Sequence, residues 1–180
     1  NSTTPDLLAP TQTTHERAGL AASGAFPFKI TAYDAIGNES SGVTVTGYTW
    51  LDNPAGLSAE PFSGYVELSW SAVSPAGHLK HYAVYARPDT PITSVQGLTP
   101  SLTTSAAQAK VAGLTNNQTY HFAVTAVNRS DGERPEVTSV AATPVPTPTP
   151  MATPGATMHR LFVPASLARH PLVRASLGSR

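Results

Sequence analysis

Apolar and polar residues alternate along several short segments of this chain, a pattern that predicts β-strands rather than helices. Residues 65–72 (YVELSWSA) alternate strictly, which places Val66, Leu68 and Trp70 on one face and polar side chains on the other. We expect the apolar face to line a core.

Residues 119–128 (TYHFAVTAVN) show the clearest alternation in the chain. One face carries Tyr120, Phe122, Val124 and Ala126, and His121 is expected to face solvent on the other. Trp70 and Phe122 are the largest apolar side chains on the two strands, so we predict that they meet at the centre of the core.

Residues 79–87 alternate as well, but both faces carry apolar groups, and we favour Tyr82, Val84 and Ala86 as the inward set. Turn residues separate these strands from weaker candidates. The weaker candidates are an edge strand at 54–62, at most a short strand within 91–105, a short strand at 106–111 and a last strand at 136–143. Seven short strands in about 90 residues are typical of a two-layer sandwich.

One segment of the chain occurs twice. Residues 18–34 (AGLAASGAFPFKITAYD) match residues 112–128 (AGLTNNQTYHFAVTAVN) without a gap, at an offset of 94. Two copies of one supersecondary unit are therefore present. Far fewer residues precede the first copy than the second, so we expect residues 1–53 to hold only the last strands of a truncated sandwich domain.

In that truncated unit the pattern predicts a weak strand near 12–18, a strong one at 26–34, a turn (AIGNES) and a strand at 42–50. The complete sandwich is expected at 54–143. Residues 144–158 alternate proline with threonine and alanine, which favours an extended, disordered linker. Residues 159–180 form a basic, modestly apolar tail.

Composition agrees with an all-β class, since the chain has 17 prolines and only 12% charged residues. Residues 1–136 hold seven basic and eleven acidic residues, and the remainder holds four arginines and no acid. This distribution of charge lacks the clustered basic face that binds nucleic acid, so no nucleic-acid partner is expected. The absence of cysteine excludes disulfides and thiolate metal sites. The sequence contains no run of 18 apolar residues, so no membrane span is predicted.

Residues 54–143 resemble a fibronectin type III domain, through a set of residues in fixed order. The set is Leu57, Trp70, Tyr82, Tyr85, Leu114, Tyr120, Phe122, Val124, Ala126, Asn128 and Gly132. The resemblance implies a seven-stranded immunoglobulin-like sandwich. Residues 1–53 are similar to the end of either such a domain or a bacterial immunoglobulin-like repeat, with Phe26 at the position that Tyr120 has in the second copy.

Tyr120 begins its strand directly after a tight turn. Its hydroxyl can reach back to an upstream backbone group and fasten the corner between the sheets. We therefore expect Leu57, Trp70, Tyr82, Leu114, Phe122 and Val124 to form the core and Tyr120 the corner.

No catalytic motif is present, so we predict neither enzymatic activity nor a cofactor or metal. Asp34, Asn38 and Glu39 could offer oxygens to calcium, but a simple turn explains them better. His78 and His81 read as exposed polar residues. The loop NRSDGER stands where some fibronectin type III domains carry an Arg-Gly-Asp adhesion sequence, which is absent here.

The sequence thus predicts a non-catalytic extracellular or cell-surface module of a larger bacterial secreted or surface protein. It would act as a spacer or as a protein or glycan interaction unit, with neighbouring domains of the same polypeptide as its first partners. The alternative is an accessory substrate-binding part of a secreted polysaccharide- or protein-degrading hydrolase. Direct carbohydrate binding would need exposed aromatic residues, for which Trp50, Tyr65 and Tyr85 are candidates.

Overall fold

The computed structural model describes residues 6–148. The tail at 159–180 and most of the predicted linker lie outside the described residues. The described chain forms nine strands and one short 3-10 turn, Ala76–His78. The strands are β1 Ala25–Ile30, β2 Val43–Tyr48, β3 Ser58–Phe62, β4 Tyr65–Ser69, β5 Leu79–Pro88, β6 Leu102–Thr104, β7 Gln108–Ala112, β8 Tyr120–Asn128 and β9 Val140–Ala142.

Strands β3 to β9 form two antiparallel sheets that face each other. One has the order β3-β4-β7 and the other the order β6-β5-β8-β9. Alternation along β4 turns Val66 and Leu68 inward, and alternation along β8 turns Phe122 and Val124 towards them, so all four are buried in one cluster. The predicted all-β sandwich is confirmed.

The inward set predicted for β5, which includes Tyr82 and Val84, lies in this main core. The opposite face of β5 is buried too: Ala83 and Tyr85 pack with Ile92 and Val95 in a second cluster. This second layer was not predicted. Residues 91–105 contain β6, as expected, but also these two apolar side chains, which close over the outer face of the sheet.

Residues 25–48 form a separate antiparallel hairpin, in which Phe28 pairs with Val45 and Ile30 with Val43. The weak strand predicted near residues 12–18 is wrong, because that segment forms no strand. The strand predicted at 26–34 ends at Ile30. The chain then passes from β2 directly into the sandwich, where Leu51 is fully buried in the main core.

Candidate functional site

The hairpin and the sandwich meet at one end of β8, and we call this contact the junction. Its centre is Asn128, the last residue of β8, which is only 1% exposed. Asn128 Nδ2 donates to the carbonyl oxygens of Tyr48 and Thr49, both at 3.0 Å. Asn128 Oδ1 accepts from the N–H groups of Ser130 and Gly132, both at 2.9 Å. All four hydrogen-bonding positions of this amide are used.

Asn128 therefore holds two pieces of backbone that are about eighty residues apart. Its oxygen shapes the turn after β8, and its nitrogen binds the segment that leaves β2. An aspartate here would lose both donors, and an alanine would leave the carbonyls and the N–H groups without these partners.

Trp50 closes the junction by packing on Gly132. A Cβ atom at residue 132 would lie 2.8 Å from Trp50 Cδ1, closer than real Cβ atoms approach their neighbours. Glycine is thus needed for this contact. Trp50 nevertheless remains about half exposed.

His78 forms a third part of the junction. Its Nδ1 lies 2.9 Å from the carbonyl oxygen of Ser23, so Nδ1 carries a hydrogen that it donates. The ring also meets Tyr48 edge to face, with centroids 5.2 Å apart. The prediction that His78 is an exposed polar residue is wrong, because the hairpin half-covers it. His81 and His121 are half-buried as well, which corrects the solvent-facing placement of His121.

Three further contacts hold the end of β2 and the segment that follows it to the chain after β8. Tyr48 N donates to Ser130 Oγ at 3.1 Å, and Asn53 Nδ2 donates to the carbonyl oxygen of Glu136 at 2.7 Å. Arg134 and Asp52 form an ion pair at 3.0 Å. Because that pair is exposed to solvent, it contributes little to stability compared with the buried Asn128 contacts.

The turn at residues 129–134 is also tied to the sandwich from its other side. The Tyr85 hydroxyl donates to Glu133 Oε1 at 2.9 Å, and the Thr125 hydroxyl donates to Glu133 Oε2. Burial, together with the neighbouring Glu133 carboxylate, raises the pKa of Tyr85 above its usual range. On the opposite side, Arg129 Nε donates to the carbonyl oxygen of Gly77 at 2.6 Å. This turn is the one with the sequence NRSDGER, and these contacts tie both of its sides to the sandwich.

The residues expected to form the core and the corner have these places in the structure. Trp70, Tyr82, Phe122 and Val124 are buried in the main core, while Leu57, Leu114 and Tyr120 are partly buried and pack against it. The Tyr120 hydroxyl accepts a hydrogen bond from Thr115 N at 3.2 Å and donates to Gln118 Oε1 at 2.9 Å.

The Tyr82 hydroxyl makes the same kind of hydrogen bond to a loop backbone, and the sequence did not predict it. Its hydroxyl accepts from Val73 N at 3.0 Å, so it fastens the loop after β4 to β5. Its ring meets Trp70 edge to face in the core, with an interplanar angle of 71° and centroids 5.3 Å apart.

Asp34 shapes the turn at the tip of the hairpin. Its carboxylate accepts hydrogen bonds from Ile36 N at 3.0 Å, Asn38 N at 2.8 Å and Asn38 Nδ2 at 2.7 Å. These bonds, those from Asn38 above all, lower the pKa of Asp34. The carboxylate is thus occupied by the turn. No group of three His, Asp or Glu side chains that could hold a metal ion occurs within residues 6–148.

The three aromatic candidates for carbohydrate binding do not form a common surface. Tyr85 is buried. Tyr65 stacks on Phe62 with ring centroids 4.9 Å apart, and Lys110 Nζ lies 3.6 Å from the Tyr65 ring centroid. Trp50 belongs to the junction. In the part of the chain that the structure describes, no helix is long and apolar enough to cross a membrane.

Comparison with known proteins agrees with this architecture. The sequence model of the fibronectin type III domain matches residues 52–141, which is half of the chain. The chain belongs to the fibronectin type III family. No curated protein matches its sequence.

Solved structures show the same fibronectin type III fold. The FN1–FN3 domains of chicken CNTN1 align with a TM-score of 0.50 and 17% identity, over 73% of this chain and 44% of that chain. This chain thus spans less than half of the CNTN1 segment, and the likeness shows the fold alone.

Two other structures align less well. A segment of two fibronectin type III domains from chicken tenascin has a TM-score of 0.43 and 22% identity, over 69% of this chain and 67% of that chain. A beta-1,2-glucanase from Parabacteroides distasonis has a TM-score of 0.42 and 19% identity, over 64% of this chain and 17% of that chain.

Proposed function

We propose that this chain is a non-catalytic extracellular module, which acts as a spacer that fixes the relative orientation of neighbouring domains in a secreted or cell-surface protein. The observation that supports the proposal is the junction. Asn128 is buried with all of its hydrogen bonds made, and two of them go to the backbone of the segment that enters the sandwich.

A flexible linker would leave its backbone carbonyls to water. Here the carbonyls of Tyr48 and Thr49 are both bound by Asn128, and Leu51 is buried directly afterwards. Such a connection restricts rotation between the two parts. Orientation, rather than chemistry, is then what the module supplies.

Distance measurements between two spin labels test this proposal. The sequence has no cysteine, so Thr44→Cys in β2 and Gln108→Cys in β7, both exposed, give two unique labelling sites. We expect a single narrow distance distribution in the full chain. Asn128→Ala is expected to broaden it, because the carbonyls of Tyr48 and Thr49 lose their donor.

Asn116→Ala is the matched control. The Asn116 side-chain oxygen likewise accepts a hydrogen bond from a backbone N–H, that of Gly64, at 2.8 Å, but Asn116 lies in the loop before β8, at the opposite end of the strand from Asn128. Its substitution is expected to leave the distribution narrow. A broad distribution in the unsubstituted chain would contradict the spacer proposal.

The runner-up, an accessory substrate-binding unit of a hydrolase, differs from the spacer in requiring a ligand. Because Phe62 and Lys110 pack on the Tyr65 ring and Tyr85 is buried, Trp50 is the most exposed of the three candidates. We therefore expect the chain to show no retention on insoluble polysaccharides. Retention that is abolished by Trp50→Ala would favour the runner-up instead.

A further inference from the structure

Within residues 6–148, strand β1 has a hydrogen-bonded neighbour on one of its two edges. On the β2 side, Thr49 N donates to Gly24 O at 3.1 Å and Ser40 N donates to Ala32 O at 2.9 Å. Because backbone groups alternate between the two edges of a strand, those of Lys29 and Thr31 point to the opposite edge. Within residues 6–148, no strand pairs with that edge.

Much of one apolar face of the hairpin is also exposed among the residues that the structure describes. Cross-strand partners share a face, so Phe28, Val45, Ile30 and Val43 lie together. Ile30 is 64% exposed and Val43 is 69% exposed. An isolated two-stranded hairpin is marginally stable in water, and a third strand or a packed layer is what usually stabilises it.

The second copy of the repeat shows what occupies the same edge in a complete sandwich. Phe28 and Ile30 correspond at offset 94 to Phe122 and Val124, which are buried. There β5 lies along β8, and Val84 pairs with Val124.

The backbone hydrogen bonds also indicate that the open edge of β1 corresponds to the edge of β8 that pairs with β5. Asp89 N donates to Thr119 O at 2.9 Å on the β5 side, and Thr119 corresponds to Ala25. The odd-numbered residues of β1 are thus equivalent to those that face β5 in the complete copy. The open edge of β1 is therefore the edge that a β5-like strand would occupy.

One difference between the copies defines the chemistry of that strand. Lys29 stands where the second copy has Ala123, which is buried beneath Ile92 and Val95. Lys29 is exposed and forms no ion pair with residues 6–148. The position opposite Ala123 is held by Tyr85, and an acidic side chain is favourable opposite a lysine.

Pro27 sets a limit at the start of the edge. It has no N–H group, as expected for a proline on an edge strand. An added strand can therefore receive backbone donors from Lys29 and Thr31 but not from Pro27.

We infer that the open edge of β1 is a strand-acceptor site, whose occupant is an antiparallel β-strand of the same polypeptide with the pattern of β5. This strand carries small or β-branched apolar residues opposite Phe28 and Ile30 and an acidic residue opposite Lys29. The inference rests on the proposed spacer function, in which further domains belong to the same polypeptide. A second copy fits less well, since a hairpin offers about a dozen paired residues and a stable interface needs roughly twenty or more a side.

A fused strand tests the site. Residues 79–88 carrying Tyr85→Glu are joined through a flexible Gly/Ser linker to Asn1 of the full chain, so that binding is intramolecular. Amide hydrogen exchange is then followed by NMR. We expect exchange at Lys29 and Thr31 to slow by about tenfold or more, because their N–H groups gain acceptors. The N–H of Ile30, on the β2 side, is expected to change little.

The matched control is the same fusion with Tyr82, Val84 and Ala86 of the added strand changed to serine. It keeps the backbone donors and loses the apolar face, so no protection is expected. Equal protection by both fusions, or by neither, would overturn the inference. Protection of the same amides in the unfused chain that grows with protein concentration would identify a second copy as the occupant and would also overturn it.

Failure here is separable from failure of the spacer proposal. The label distance between β2 and β7 depends on Asn128 and does not involve the open edge of β1. A narrow distance distribution with no protection of Lys29 would reject the strand-acceptor site alone.

Discussion

At the scale of single residues, two tyrosine hydroxyls hold backbone N–H groups of neighbouring loops. Tyr120 binds Thr115 N, and Tyr82 binds Val73 N. Both rings pack against or within the main core while their hydroxyls lie at its margin, where a loop backbone is within reach. Each such bond restrains a loop that the sheets alone would leave free.

We propose that Tyr120 fastens the corner before β8, and Tyr120→Phe tests it. The ring still packs on the core, but Thr115 N loses its acceptor, which should destabilise the fold by about 1 kcal/mol. Urea denaturation of the full chain measures this change.

Tyr65→Phe is the control for Tyr120→Phe. The Tyr65 hydroxyl makes no hydrogen bond to residues 6–148, and its ring lies between Phe62 and Lys110. We expect an unfolding midpoint close to that of the unsubstituted chain. Equal midpoints for all three proteins would show that Tyr120 has no fastening role.

The junction was largely hidden from sequence reasoning. Asn128 belongs to the set of residues that carries the family resemblance, but the sequence does not predict its role, because its partners Tyr48 and Thr49 are distant in sequence and contribute backbone atoms, which no residue pattern records. The sequence shows only the local half of this role, which is the turn after Asn128. In that turn the N–H groups of Ser130 and Gly132 bind Asn128 Oδ1. His78 gave no signal either, as a single histidine in a turn has no periodicity.

At the scale of elements, β5 and β8 differ from the other strands because both faces of each are buried. One face joins the main core, and the other is covered by Ile92 and Val95. Alternation in the sequence predicted β4 and β8 correctly, because each has a regular apolar face. It could not predict the second layer, because two single apolar residues in a stretch rich in threonine, serine and proline form no repeating pattern.

Ile92 tests whether this second layer contributes to stability. Ile92 is 1% exposed, so Ile92→Ala should leave a cavity over Tyr85 and destabilise the fold by about 2–5 kcal/mol. Thermal and urea unfolding measure the loss. Thr93→Ala, at the exposed neighbouring position, is expected to have almost no effect. A small loss for Ile92→Ala would mean that the segment only rests on the sheet.

At the scale of the whole molecule, the sandwich extends beyond the ends predicted for it. The predicted unit was 54–143, yet Leu51 and Pro144 are both buried. Prolines and polar residues around position 54 marked a boundary in the sequence, whereas the burial of Leu51 depends on tertiary packing that the local sequence does not show. The complete sandwich therefore includes residues that the pattern assigned to the truncated unit and to the linker.

We expect residues 51–148 to fold alone and to be more stable than residues 54–143. Leu51 is fully buried, and burying a leucine side chain contributes about 1.5–3 kcal/mol. Urea denaturation of the two fragments measures the difference. The fragment 51–148 with Leu51→Ala should approach the stability of 54–143. If the two fragments unfold at the same urea concentration, Leu51 is dispensable.

The short passage from β2 into the sandwich has a mechanical consequence. Only Thr49 and Trp50 separate Tyr48, the end of β2, from Leu51, and fully extended chain spans at most about 3.6 Å per residue. A connection this short can lengthen very little when it is stretched. When such a polypeptide is stretched, the force should be transmitted directly from the hairpin to the sheets. The molecule should then extend by unfolding rather than by extension of the connecting segments.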